Sequence, residues 1–200
     1  MTTSYRYLLI FLVLFGVSGA MAVESPDDGN FKAIALYNEA SDLAYAGEFS
    51  LALEKVDEAL FIVPNFTVAL TTKAALLSEL ERYDEALEAL NTAYTLNPED
   101  PYVLTNAASV YLYLGEYEYA LNLTDIALSY NPELVEAWVT KGAAHGALGE
   151  YTKEVEASQQ ALLFDPKNPL ALSNMEYALE QIKKSLDGKD PLEKEKADVR

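Results

Sequence analysis

Cysteine is absent from all 200 residues. With it go disulfides, thiolate metal sites, a thiol nucleophile and a lipidated cysteine, so a stable fold has to rest on packing. One histidine, His145, and three methionines leave little material for a transition-metal centre. No G-x-x-x-x-G-K-[ST], G-x-G-x-x-G or H-E-x-x-H segment occurs, and the calcium-loop pattern is missing too, so the sequence implies no cofactor and no metal. Basic side chains are scarce, 14 against 32 acidic ones, for a formal net charge of -18 at pH 7. Such a surface repels nucleic acid and anionic lipid headgroups, which removes nucleic acid from the expected partners.

Half of the chain is hydrophobic, enough for a continuous core. The first 22 residues carry one charge, Arg6, then an apolar run from Tyr7 through Val17, then small residues ending in Ala20, Met21 and Ala22. That order is the order of a secretory signal, with Val23 as the mature N-terminus. The competing reading is an uncleaved anchor, but the uncharged run from Tyr7 to Val23 reaches only roughly 25 Å as a helix, short of a hydrocarbon core of about 30 Å. Either reading places the remainder outside the cytoplasm, secreted or at the cell surface, with membrane contact only through this segment. Residues 23–30 read as a polar linker and 187–200 as a charged, disordered tail.

The decisive pattern is a period. Pro64, Pro98, Pro132 and Pro166 are each 34 residues apart. Each follows an amphipathic run with an alanine five residues earlier, at Ala59, Ala93, Ala127 and Ala161. Proline cannot continue a helix and restricts the residue before it, so each one marks the end of a second helix in the unit. The first helix of a unit stops near Gly47, Gly115 and Gly149, with Glu81 in that place in the second unit, and an aromatic follows at Phe49, Tyr83, Tyr117 and Tyr151. Apolar positions recur at three and four residues within each helix, so each unit is an αα-hairpin.

These residues resemble the tetratricopeptide repeat. The likeness covers Ala33 to Asn168 as four repeats, 33–66, 67–100, 101–134 and 135–168, with Trp138 and Gly142 as its large and small residues in the fourth. Ala52, Ala86 and Ala120 stand where the two helices of a hairpin approach closely. A further helix over 169–186 completes a domain of 31–186. It carries Leu172, Met175 and Leu179 on one face and Glu180, Gln181, Lys183 and Lys184 on another, which suits a solvating cap.

The resemblance implies an all-α, right-handed solenoid of antiparallel hairpins whose first helices line a concave groove that holds a peptide or partner protein. Carried over residue by residue, the groove places include Tyr37, Ser41, Thr71, Tyr102, Thr105, Ser109 and Val139, with Tyr113 beside them. The family's chaperone-tail binders use Lys, Arg and Asn to hold a C-terminal carboxylate; here Tyr37 and Ser41 stand where a lysine and an asparagine are needed. Tyrosine gives contact area at low entropy cost, though it fills space between helices equally well.

Two departures occur in the fourth repeat: His145 stands where Tyr111 does in the third, and Glu154 takes the place of the close-contact alanine. A His145 to Glu154 hydrogen bond across the turn is one expectation, an outward-bent Glu154 in a loosely packed repeat the other. The carboxylates Glu79, Glu81, Asp84, Glu85 and Glu88 lie around one turn and one helix face, which reads as solvated surface and not as an opposed acid–base pair. Asn65 and Asn122 begin glycosylation sequons. The sequence therefore predicts an exported, non-enzymatic binding scaffold or, alternatively, a self-associating structural component of the cell envelope.

Overall fold

The computed structural model describes residues 28–187. The expected signal segment 1–22, residues 23–27 of the linker and the tail from 188 onward lie outside the described residues. Among those described there are nine helices and no strand: α1 Asp28–Tyr45, α2 Phe49–Ile62, α3 Thr67–Glu79, α4 Tyr83–Leu96, α5 Pro101–Leu114, α6 Tyr117–Tyr130, α7 Val135–Ala147, α8 Tyr151–Phe164 and α9 Pro169–Asp187. The first helix thus begins inside the span read as linker.

The four prolines fall where the period requires, each directly after the last residue of α2, α4, α6 or α8 and its single extended successor. Two of the first helices, α5 and α9, start on a short polar side chain. Asp100 accepts a hydrogen bond from the Tyr102 amide at 2.9 Å, with Pro101 as the first helical residue. Asn168, fully buried, accepts from the amides of Leu170 and Ala171 at 3.1 and 3.0 Å. The first helices of the hairpins end alike: the amide of the residue after the turn reaches back five residues, from Glu48 to Leu43, Arg82 to Leu77, Glu116 to Tyr111 and Glu150 to His145. That closure needs a left-handed residue, supplied by Gly47, Gly115 and Gly149 and, in the second hairpin, by Glu81 at φ 60°.

Packing distinguishes the two helix types. From the second hairpin on, each first helix is wedged between its own partner and the preceding hairpin, so α3 buries Ala69 to Thr72 and Ala74 to Leu77, nearly its whole circumference. Second helices bury a single stripe, such as Ala86, Ala89, Leu90 and Ala93 of α4. Ala52, Ala86 and Ala120 are fully buried at the hairpin crossings, where about one extra methylene would already have to displace a neighbour.

The terminal helix differs from expectation in the face it buries. It packs through Leu170, Ala171, Asn174 and Ala178, and Asn174 Nδ2 donates to the Val139 carbonyl at 3.4 Å. Leu172 and Leu179 are exposed instead. The repeat register explains this: Ala171, Asn174 and Ala178 follow the buried Ala137, Thr140 and Ala144 of α7 by one period. Leu172, Met175 and Leu179 follow Trp138, Lys141 and His145, which in α7 border a cleft against α8. Among the described residues no second helix follows the cap, and Leu172 and Leu179 stay exposed on that face.

Candidate functional site: the face of the first helices

Beyond pairing with their own partners, α3 packs on α5, α5 on α7 and α7 on α9, so the first helices lie side by side and form one face of the stack. Tyr37, Ser41, Tyr102 and Ser109 belong to these helices and remain partly accessible. The Tyr37 ring leans on Phe66 with centroids 5.3 Å apart, and its hydroxyl accepts from Thr72 Oγ1 at 3.5 Å. Ser41 Oγ donates to the Tyr37 carbonyl at 3.0 Å. Ser109 Oγ donates to the Thr105 carbonyl at 3.1 Å and lies 3.4 Å from Thr140 Oγ1 on the next first helix.

The other expected groove residues are placed differently. Thr71 and Thr105 are buried, their hydroxyls donating to the Val68 and Pro101 carbonyls. Val139 is 1% exposed and packs with Ala161, Leu170 and Ala171, so it belongs to the core that holds the cap. Tyr113 stacks on Tyr83 of α4 at 5.9 Å, apart from the row. Asn65 and Asn122 are exposed.

One residue joins the face that the tyrosine pattern did not single out. Glu136 stands one period after Tyr102, and burial, reinforced by the charge of Asp165, pushes its carboxyl above the ordinary carboxylate range. Burial, then the charges of Glu136 and Asp100, push the Tyr102 hydroxyl up in turn. An aromatic ring and a partly desolvated carboxylate therefore share a local negative field on this face, an arrangement that accepts a cation. The period points to Glu136 as a place on this face; its burial was not readable from the sequence.

The tetratricopeptide-repeat family model matches residues 68–100 and 135–168. The chain contains tetratricopeptide repeats. Solved tetratricopeptide-repeat structures share the fold. A thermophilic repeat protein of Thermus thermophilus superposes with a TM-score of 0.66 at 24% identity, covering 78% of this chain and 94% of that one. MamA from Desulfovibrio magneticus RS-1 gives 0.56 at 20% identity over 78% and 94%. The first repeat domain of Spaghetti, solved with an HSP90 peptide, gives 0.55 at 23% identity over 58% and 93%. No curated protein sequence matches the chain.

The fourth tetratricopeptide repeat corrects the expected histidine pair. His145 Nδ1 lies 2.7 Å from Glu150 Oε2, and Lys153 Nζ lies 3.0 Å from the other oxygen of the same carboxylate. Lys153 and His145 together hold the Glu150 carboxyl below its usual range. Glu154 neither meets His145 nor bends outward. It is 2% exposed, its Oε2 has no hydrogen-bond partner, and burial pushes its carboxyl up to about 7. The reason is space: residue 146 is glycine, and the carboxyl fills the room that a side chain there would take. An open cavity of about 540 Å³ between α7 and α8 is bordered by Trp138, Lys141, His145 and Lys153. Its basic side chains are already matched, Lys141 by Asp125 at 2.6 Å, and His145 and Lys153 by Glu150. Arg82 pairs with Glu85 at 2.6 Å within the acidic turn cluster, whose members Glu81, Asp84 and Glu88 are exposed as expected.

Proposed function

We propose that this protein is a non-catalytic scaffold that acts outside the cytoplasm and captures an extended segment of a partner protein on the face of its first helices. The observation that carries the reading is the placement of Tyr102 and Glu136, both partly buried, at equivalent places of consecutive first helices on that face. A carboxylate held there without a cation is destabilised by desolvation, and a lysine or arginine brought by a partner relieves it. The partner segment is accordingly basic, in keeping with the net charge of -18. Spaghetti's first repeat domain, of the same fold, was solved with a peptide bound, which supports peptide capture as the mode. The export signal in the first 22 residues supports the location.

Panning a random-peptide display library on the purified protein tests the reading. Selected peptides are expected to be rich in Lys and Arg and to bind the Glu136→Gln variant at least about tenfold more weakly, roughly 1.4 kcal/mol. Selection without basic enrichment, or undiminished binding to the variant, counts against it. The location is tested by the N-terminal sequence of native protein, expected to begin at Val23. Self-association, the alternative reading, is favoured by one observation, the apolar flank of α9.

A further inference from the structure

The apolar residues on the free flank of α9 are Leu172, Met175, Leu179, Ile182 and Leu186, spaced three, four, three and four apart. That is the seam of a two-helix coiled coil sustained over two heptads. Leu172, Leu179 and Leu186 are 42%, 50% and 50% exposed, with Met175 and Ile182 half-buried beside them. We propose that α9 is a homodimerisation element, two copies of the chain pairing their α9 helices antiparallel along this seam.

Three features select a second copy as the occupant. A fifth second helix does not fit: the places where α7 has Gly142 and Gly146 against its partner are held in α9 by Glu176 and Glu180. Residues 188–200 carry Leu192, Ala197 and Val199 as their apolar side chains beyond glycine and proline, without the three-four spacing. The flanking charges are self-complementary. Glu176 and Lys183 are seven residues apart on one edge of the seam, straddling Leu179, and among the described residues neither makes an ion pair, whereas Lys184 holds Glu180 at 2.7 Å. An antiparallel twofold axis near Leu179 sets Glu176 of each copy against Lys183 of the other, twice, and closes the assembly at two. A parallel pair sets that edge against the one bearing Ala171 and Ala178, where no charge answers.

Electrostatics favour this site over any other for two copies of so acidic a chain. In α9, Glu176, Glu180 and Asp187 are nearly balanced by Lys183 and Lys184, while the four hairpins carry almost all of the acidic excess. Repulsion between copies is lowest here. The helix is also already formed, docked through Leu170, Ala171, Asn174 and Ala178, so pairing does not have to meet the cost of ordering it.

The absence of native cysteine makes the test direct. Oxidation of the full-length Leu179→Cys variant is expected to give a covalent dimer, because the two copies of residue 179 meet at the axis. The Leu172→Cys variant is expected to stay monomeric, since antiparallel pairing holds its two copies roughly 20 Å apart, against an upper Cα separation of about 7 Å for a disulfide. In sedimentation velocity the wild-type chain doubles its mass with concentration. Leu179→Lys raises the dimer dissociation constant at least about tenfold with helical circular dichroism unchanged. Lys183→Glu weakens the dimer and adding Glu176→Lys restores it. A wild-type chain that is monomeric at about 100 μM, equal cross-linking at residues 172 and 179, or a Leu179→Lys dimer of wild-type strength each overturns the proposal. Peptide capture by the first-helix face is read by none of these measurements, so the two readings fail separately.

Discussion

The carboxyl of Glu154 rests against Gly146, and a Cβ at residue 146 would stand 2.5 Å from Glu154 Cδ. The other hairpins resolve the same crossing with Ala44 and Ala52, Ser78 and Ala86, and Leu112 and Ala120. The fourth exchanges size between the helices, a glycine on one side admitting a glutamate on the other. Gly146→Ala is therefore expected to lower stability by about 1 to 3 kcal/mol through overpacking. In the double variant with Glu154→Ala, which recreates the alanine pair of the first hairpin, the two changes should offset each other. Denaturant unfolding of both single variants and the double variant measures the coupling; additive losses would contradict the contact.

Glu154 also makes stability depend on pH. Its folded pKa of about 7 lies above the ordinary 4.5, so the folded protein keeps a proton that the unfolded chain releases. Below about pH 4.5 both states are protonated and the group contributes nothing. From there to about pH 7 it costs progressively more, reaching about 3 kcal/mol and levelling off above. Glu154→Gln is expected to remove this fall and to melt above wild type at pH 8. Parallel melting curves for the two proteins across pH 5 to 8 would dismiss the assignment.

Glu81 holds the left-handed conformation, φ 60°, that glycine holds in the other hairpin turns. Glu81→Gly should stabilise the protein by about 1 kcal/mol, since glycine meets no steric penalty there. A higher melting temperature checks it.

Tyr102 and Tyr37 present half-buried rings on the first-helix face. Tyr102→Ala and Tyr37→Ala are each expected to weaken a selected peptide by well over about 1 kcal/mol while helical content is retained. Calorimetric titration with the peptide distinguishes this from tyrosines that merely fill space between helices.

Much of the fold was legible because it is periodic and local. The four prolines, the turn glycines and the buried alanines each act within a few residues, so spacing alone placed eight helices and paired them. Glu81 shows the limit of residue type: the turn forms without its glycine because the surrounding helices enforce it. His145 shows another limit. Residues nine apart across a turn were expected to face each other, yet the Glu150 carboxylate, at the turn itself, reaches the imidazole first.

What the sequence determined by itself was the period, and with it the hairpins, their order and which residue of each unit corresponds to which. Only the tertiary structure decided which equivalent places are open. Val139 and Tyr37 belong to the same expected face, but one is sealed under the cap and the other is not. Leu172, Met175 and Leu179 form an apolar stripe on any helical projection, yet the helix packs by its alanine side. Periodicity records what each helix can bury, whereas exposure depends on which neighbour arrives, and among the described residues no second helix covers the stripe of α9.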